Sequence, residues 1–214
     1  MVRTFYRLGW VGVVGGLLAG TAAWSDEDWL PEALTLGGLL ALDQKINAEV
    51  RRHQTEEGLE IARWISRVGH PLLVGAGAAW AASRSREPAR KRKWTQVAQA
   101  VATAGAVAET LKLLVGRPRP VDWRNGDHSL GPKLDFDLSF PSGHAAGVFA
   151  AATVLGREDP RHRDGYLVGA ILVGLSRLYL DRHYASDVWA GALVGIASGK
   201  YVQRHGRGLV EIKF

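Results

Sequence analysis

Cysteine is absent from this 214-residue chain. No disulfide, zinc–thiolate site or thiol nucleophile can be built from it, although the absence fixes no redox compartment. The residue-by-residue alternation of half-buried strands is missing too. No cluster of His, Asp and Glu stands at a spacing that reads as a metal site. At this length the chain fills one domain, residues 1–214, and is short for two.

Apolar, Ala- and Gly-rich stretches alternate with short charged connectors, so a mean hydropathy near zero hides both. Residues 8–24 are uncharged and follow the basic start MVRTFYR. They fit either an N-terminal anchor about long enough to span a bilayer or a cleaved secretory signal. A short apolar run at 33–42 and a polar helical stretch to about residue 60 come next. The remaining apolar segments are 61–83, 95–115, 144–156, 165–180 and 186–203, all of helix length. Pro71 should kink or split the first of these. These segments predict an all-α bundle of about six core helices.

The formal charge is +6, and its placement says more than its size. The loop 84–93 holds six basic residues, 157–164 adds three, and the two ends of the chain bring the total to 15 of the 27 Lys and Arg. If six segments cross a membrane alternately from a cytoplasmic N-terminus, all 15 fall on the cytoplasmic side. Residues 25–60, 116–143 and 181–186 then face outward. A soluble bundle with solvated basic loops is the alternative, and Arg63, Arg67, Glu109 and Lys112 inside or near apolar segments favour it. Small-residue faces at Gly12/Gly16/Gly20 and Gly191/Gly195/Gly199 suit close helix packing within one chain or between two, so the oligomeric state stays open.

Three clusters carry chemistry, each at the expected outer end of an apolar segment. Lys112, Arg117 and Arg119 stand where Pro118 and Pro120 end a helix, forming an anion-binding corner or simply complementing the helix dipole. Pro141-Ser142-Gly143-His144 opens a helix, with Ser142 as N-cap, backbone N–H groups free for an anion, and a histidine in the first turn. Arg177 ends a segment, and His183 and Asp187 lie four apart, sharing a face if helical. A carboxylate on one imidazole nitrogen raises the basicity of the other. Cations, helix N–H groups, a nucleophile and an acid are what displacement at phosphorus needs. The carboxylates Asp122, Asp127, Asp135 and Asp137 are scattered and read as solvated.

In these clusters the chain resembles the type-2 phosphatidic acid phosphatase superfamily, which includes class A acid phosphatases, glucose-6-phosphatase and vanadium haloperoxidases. The motifs K-x6-R-P, P-S-G-H and S-R-x5-H-x3-D appear in order, from Lys112 to Arg119-Pro120, Pro141 to His144, and Ser176-Arg177 to His183 to Asp187. The resemblance implies His183 as nucleophile forming a phosphohistidine, Asp187 orienting it, and His144 as general acid and then base. It implies Lys112, Arg119, Ser142, Gly143 and Arg177 as the phosphate-binding set, and an all-helical core with the site at one end. No metal or other cofactor is expected.

The leading expectation is a membrane-associated lipid-phosphate phosphatase of a bacterial-type inner membrane, its site facing the periplasm or exterior. Candidate substrates are phosphatidic acid, phosphatidylglycerophosphate and a polyprenyl pyrophosphate. The other readings are a soluble periplasmic acid phosphatase, a vanadate-dependent haloperoxidase and a non-catalytic lipid-phosphate-binding protein. The expected partners are a phosphate substrate and a membrane, with no nucleic acid.

Overall fold

The computed structural model describes residues 30–135 and 137–209, and these contain helix and connections with no strand. The anchor-or-signal segment and its glycine face at Gly12, Gly16 and Gly20 lie outside the described residues. Among the described residues eight α-helices follow one another: α1 Leu30–Arg52, α2 Glu56–Val68, α3 Pro71–Arg84, α4 Pro88–Val115, α5 Pro120–Arg124, α6 Gly143–Glu158, α7 Arg163–Tyr179 and α8 Ala185–His205. A 3-10 turn, Pro160–His162, joins α6 to α7.

Local chemistry explains the breaks. Leu30–Arg52 is one unbroken helix, and α2 starts earlier than hydropathy suggests because Thr55 caps it. The Thr55 hydroxyl accepts from the Gly58 N–H at 3.1 Å, and Glu56 and Glu57 complement the dipole in its first turn. Pro71 divides segment 61–83 as expected: α2 stops at Gly69, and His70 Nδ1 accepts the Leu72 N–H to cap α3, with Pro71 in its first turn. Helix α4 ends at Gly116, whose φ of +60° belongs to the left-handed region. A side chain there would also collide with the carbonyl of Gly131, so both conformation and space require glycine.

Helix α6 is the centre of the bundle, packed against α4, α7 and α8. Its buried Ala146, Ala150, Ala151 and Val154 meet Ala98, Val101, Ala104 and Ala108 of α4. Gly191, Gly195 and Gly199 let α8 press onto α6, since side chains at Gly191 and Gly195 would strike the Ser142 and Ala146 carbonyls. This glycine face therefore packs within the chain. Small residues bring helix axes close enough for backbone contact, which fixes the relative height of α6 and α8.

The core leaves apolar surface on its outer face, including Trp64, Leu72, Leu73, Trp80 and Leu172. Among the described residues one stretch, Pro88–Arg124, is by itself long and apolar enough to cross a membrane. The segment 61–83 is broken into helices of 13 and 14 residues, and α6 has 16, about 24 Å at 1.5 Å per residue.

The helix directions sort the charged residues. The C-terminal ends of α2, α4 and α7 and the N-terminal ends of α3, α6 and α8 share one end of the bundle with all three sequence clusters. The basic junctions at residues 84–93 and 157–163 and the C-terminus of α8 lie at the other. The site at one end of an all-helical bundle is as the sequence suggests.

Candidate active site

Lys112 reaches the site from the last turn of α4. Its stem is buried and its Nζ donates to Glu109 Oε1 at 2.6 Å. The turn after Gly116 separates two arginines that sequence groups together. Arg119 lies close to His183 and Arg177, donating from Nε to the Asp137 carbonyl at 3.1 Å, with Nη2 2.7 Å from Asp137 Oδ1. Asp137 therefore pairs with a site arginine, although the sequence reads it as solvated. Its own side chain stays largely exposed.

Arg117 corrects the expected anion-binding corner. It turns into the protein and bridges two buried carboxylates: Nη2 donates to Asp43 Oδ2 and Nη1 to Asp187 Oδ1, both at 2.8 Å. Its guanidinium also lies 3.9 Å from the Tyr184 ring centroid. With both hands engaged, Arg117 belongs to the frame behind the pocket.

The turn before α6 supplies the helix N-terminus. A cis Phe140–Pro141 peptide leads to Ser142, whose hydroxyl accepts the Ala145 N–H. Ser142 is fully buried, and its own N–H donates to the Asp187 carbonyl at 2.9 Å. Its hydroxyl is thus a cap, while Gly143 opens the backbone to the pocket. A Cβ built on Gly143 would sit 3.6 Å from Lys112 Nζ, which puts this backbone and that cation side by side. His144 follows in the first turn, its ring 4.9 Å from that of His70 in an edge-to-face arrangement.

His183 precedes α8, so it and Asp187 span the helix start and do not share a helical face as expected. The expected direct hydrogen bond is replaced by an indirect one. Asp187 Oδ2 lies 3.7 Å from His183 Nδ1, beyond hydrogen-bond reach, whereas the Ser139 carbonyl lies 2.8 Å from it. A carbonyl can only accept, so Nδ1 carries the proton and Nε2 keeps the lone pair. Asp187 acts through Ser139, whose hydroxyl donates to Asp187 Oδ2 in a short hydrogen bond. The same oxygen accepts the Tyr184 N–H at 2.7 Å. Burial pushes the His183 imidazole down to about 4; Asp187 opposes the shift, and Arg177 and Arg119 add to it. The ring is neutral at neutral pH.

Arg177 completes the set from the end of α7. Its Nη1 donates to Ser66 Oγ of α2 at 2.6 Å, and its buried Nε has no hydrogen-bond partner among the described residues. An oriented, unsatisfied guanidinium N–H beside a second arginine and a neutral histidine suits a phosphoryl oxygen. The expected residues thus converge, with Ser142 as cap and Asp187 one link removed from the ring. Among the described residues, no group of three or more His, Asp and Glu could hold a metal ion.

Several supporting residues escape a motif reading. Ser66 and His70 come from the α2–α3 junction. Asp43, Asn47 and Arg51 form a polar stripe along α1, at the i, i+4, i+8 spacing that signals one helical face. Asn47 Nδ2 donates to the His183 carbonyl at 3.2 Å, and Arg51 and Arg124 hold Asp181 at the left-handed corner of the same loop.

Residues 93–207 match the PAP2 superfamily. The decaprenylphosphoryl-5-phosphoribose phosphatase of Mycobacterium tuberculosis is 36% identical over 127 residues, 56% of this chain and 66% of that protein. The chain thus spans just under two thirds of this relative. Two solved structures share the fold. Aquifex aeolicus LpxE superposes with a TM-score of 0.58 at 22% identity, covering 76% of this chain and 95% of that one. A PAP2-type phosphatidylglycerolphosphate phosphatase from Bacillus subtilis superposes with a TM-score of 0.56 at 20% identity, covering 92% and 94%.

Proposed function

Since the chain belongs to the PAP2 superfamily, we propose that it is a metal-independent phosphatase that cleaves a lipid phosphomonoester or pyrophosphate through a phosphohistidine at His183. The observation that carries this reading is the Ser139 carbonyl 2.8 Å from His183 Nδ1, a contact that assigns the ring proton to Nδ1. It leaves the Nε2 lone pair on a neutral ring amid Lys112, Arg119 and Arg177.

Nε2 attacks phosphorus in line as the bond to the leaving oxygen breaks, and His144, whose protonated form the negative charge of the bound phosphate favours, gives that oxygen its proton. Lys112, Arg119, Arg177 and the Gly143 N–H hold the equatorial oxygens, supplying charge that a metal supplies elsewhere. Neutral His144 then takes a proton from water as the water oxygen attacks phosphorus and the P–N bond breaks. This returns His183 with its lone pair and releases inorganic phosphate. Glu109 and Asp137 already pair with Lys112 and Arg119, so an incoming phosphoryl group shares or displaces these carboxylates.

The apolar outer surface and the names of the relatives support a lipid substrate and a bilayer setting. An acyl or prenyl tail can stay in lipid while its phosphate enters the cationic end of the bundle. The segregation of basic residues at the opposite end supports a site facing the periplasm or exterior of a bacterial-type inner membrane. Residues 1–24 serve in this reading as anchor or export signal within a single phosphatase domain.

A panel of lipid and water-soluble phosphates, assayed on membrane and soluble fractions with excess EDTA, tests the reading. Hydrolysis of a polyprenyl or glycerolipid phosphate by the membrane fraction, undiminished by EDTA, is expected. Activity confined to soluble phosphates in the soluble fraction would replace the lipid substrate with a small one. Loss to EDTA restored by a divalent ion would overturn the metal-free mechanism.

A further inference from the structure

We propose that Asp43, on α1, is a positioning residue for the nucleophile: it clamps Arg117 and Ser186 and, through them, the carboxylate and loop that orient His183. The inference rests on the phosphatase reading above and assigns a role to a helix outside the three motifs. Asp43 is almost fully buried, with three donors around its carboxylate. Oδ1 accepts the Ser186 N–H at 3.0 Å, and Oδ2 accepts the Ser186 hydroxyl and Arg117 Nη2.

Arg117 is a planar fork with fixed angles between its donors, so holding one arm sets the other. That other arm reaches Asp187 Oδ1 and Ser186 Oγ, both at 2.8 Å. Asp187 holds the Ser139 hydroxyl, and the Ser139 carbonyl accepts the His183 Nδ1–H. Every link from Asp43 to the imidazole passes through a buried or part-buried polar contact. Asn47, one turn along α1, fixes the backbone carbonyl of His183 as the chain through Arg117 fixes its ring.

Two carboxylates and one guanidinium withdrawn from water are costly to bury, and an apolar cluster would hold helices together at least as well. What an apolar cluster cannot do is select one imidazole tautomer. None of the hydrogen bonds of Asp43 among the described residues goes to Lys112, Arg119 or Arg177, so its loss should spare phosphate binding. The effect belongs in kcat.

The test is Asp43→Asn in the full chain, alongside Ser186→Ala as a milder variant and their combination. Asp43→Asn is expected to lower kcat about 10- to 100-fold, with KM and inhibition by inorganic phosphate changed by less than about threefold. Ring 15N spectra should show His183 leaving its single Nδ1–H state. Ser186→Ala should do less, and the pair should be non-additive because both act through Arg117. An unchanged kcat, or kcat and phosphate affinity falling together with the ring spectrum unaltered, would overturn the proposal. If the wild-type chain hydrolyses no phosphate ester, the proposed function falls. The ring spectra of the two variants then still decide the positioning role, an altered tautomer supporting it and an unaltered one refuting it. Should Asp43→Asn fail to fold, Ser186→Ala carries both readouts alone.

Discussion

The stretches Lys112–Asp187 and Leu30–Arg84 serve the same pocket from opposite sides. The first brings Lys112, Arg119, His144, Arg177 and His183 to where a phosphoryl group would sit. The second supports those groups from behind: Asp43 holds Arg117 of the frame, Asn47 holds the His183 carbonyl, Ser66 holds Arg177, and His70 faces His144. In the proposed mechanism one region does chemistry with atoms that must stay available to substrate. The other spends its polar atoms mainly on fixing geometry, so side chains such as Asp43 can be buried with their donors and acceptors paired. Charge alone does not separate the two roles, as the neighbouring arginines Arg117 and Arg119 demonstrate.

Substitutions should respect that division. His183→Ala removes the attacking atom and should cost at least about 10⁴-fold in kcat. Residual turnover near wild type would erase the distinction between the two regions. His144→Asn should cost about 10²- to 10⁴-fold on an alkyl phosphate. The loss should be much smaller with p-nitrophenyl phosphate, whose leaving group needs no proton; equal losses on both would deny His144 the acid role. Ser66→Ala, on the supporting side, removes one hydrogen bond to Arg177. It should raise KM roughly fivefold, about 1 kcal/mol, with kcat little changed.

Smaller still are two effects at the edges of the comparison. His183, held neutral by burial, should keep its Nδ1–H signal from neutral pH down to about 4 and protonate below that. A ring NMR titration with a midpoint near the ordinary 6.5 would contradict the buried, carbonyl-held ring. At the far end of the bundle, Arg157 and Arg163 lie away from the pocket. Exchanging both for Gln should leave kcat/KM on a soluble phosphate within about twofold, as surface changes usually do.

How much of this is legible in the sequence follows from the range of each interaction. The helices read well because their apolar stretches and Pro or Gly stops are local, and Pro71 divided its segment where its chemistry says it must. The proposed phosphate set is drawn from Lys112–Arg119, Ser142–His144 and Arg177–Asp187, each a short run of distinctive residues that a motif can pick out. The partners of those runs cannot be picked out in this way. Asp43 meets Arg117 across 74 residues and Ser186 across 143, and Ser66 meets Arg177 across 111. No local spacing encodes such pairs. The sequence points to a direct His183–Asp187 bond for a related reason: four-residue spacing implies one helical face, but the helix begins only at Ala185, and Ser139 intervenes.

The central claim is covalent, so it can be caught directly. Brief incubation with a 32P-labelled phosphate substrate, followed by alkaline quench and peptide mapping, should give an alkali-stable, acid-labile phosphoramidate on the peptide containing His183. The label should vanish on chase with unlabelled substrate and be missing in His183→Ala. Label on another residue, or full turnover with no labelled protein at any quench time, would contradict the account.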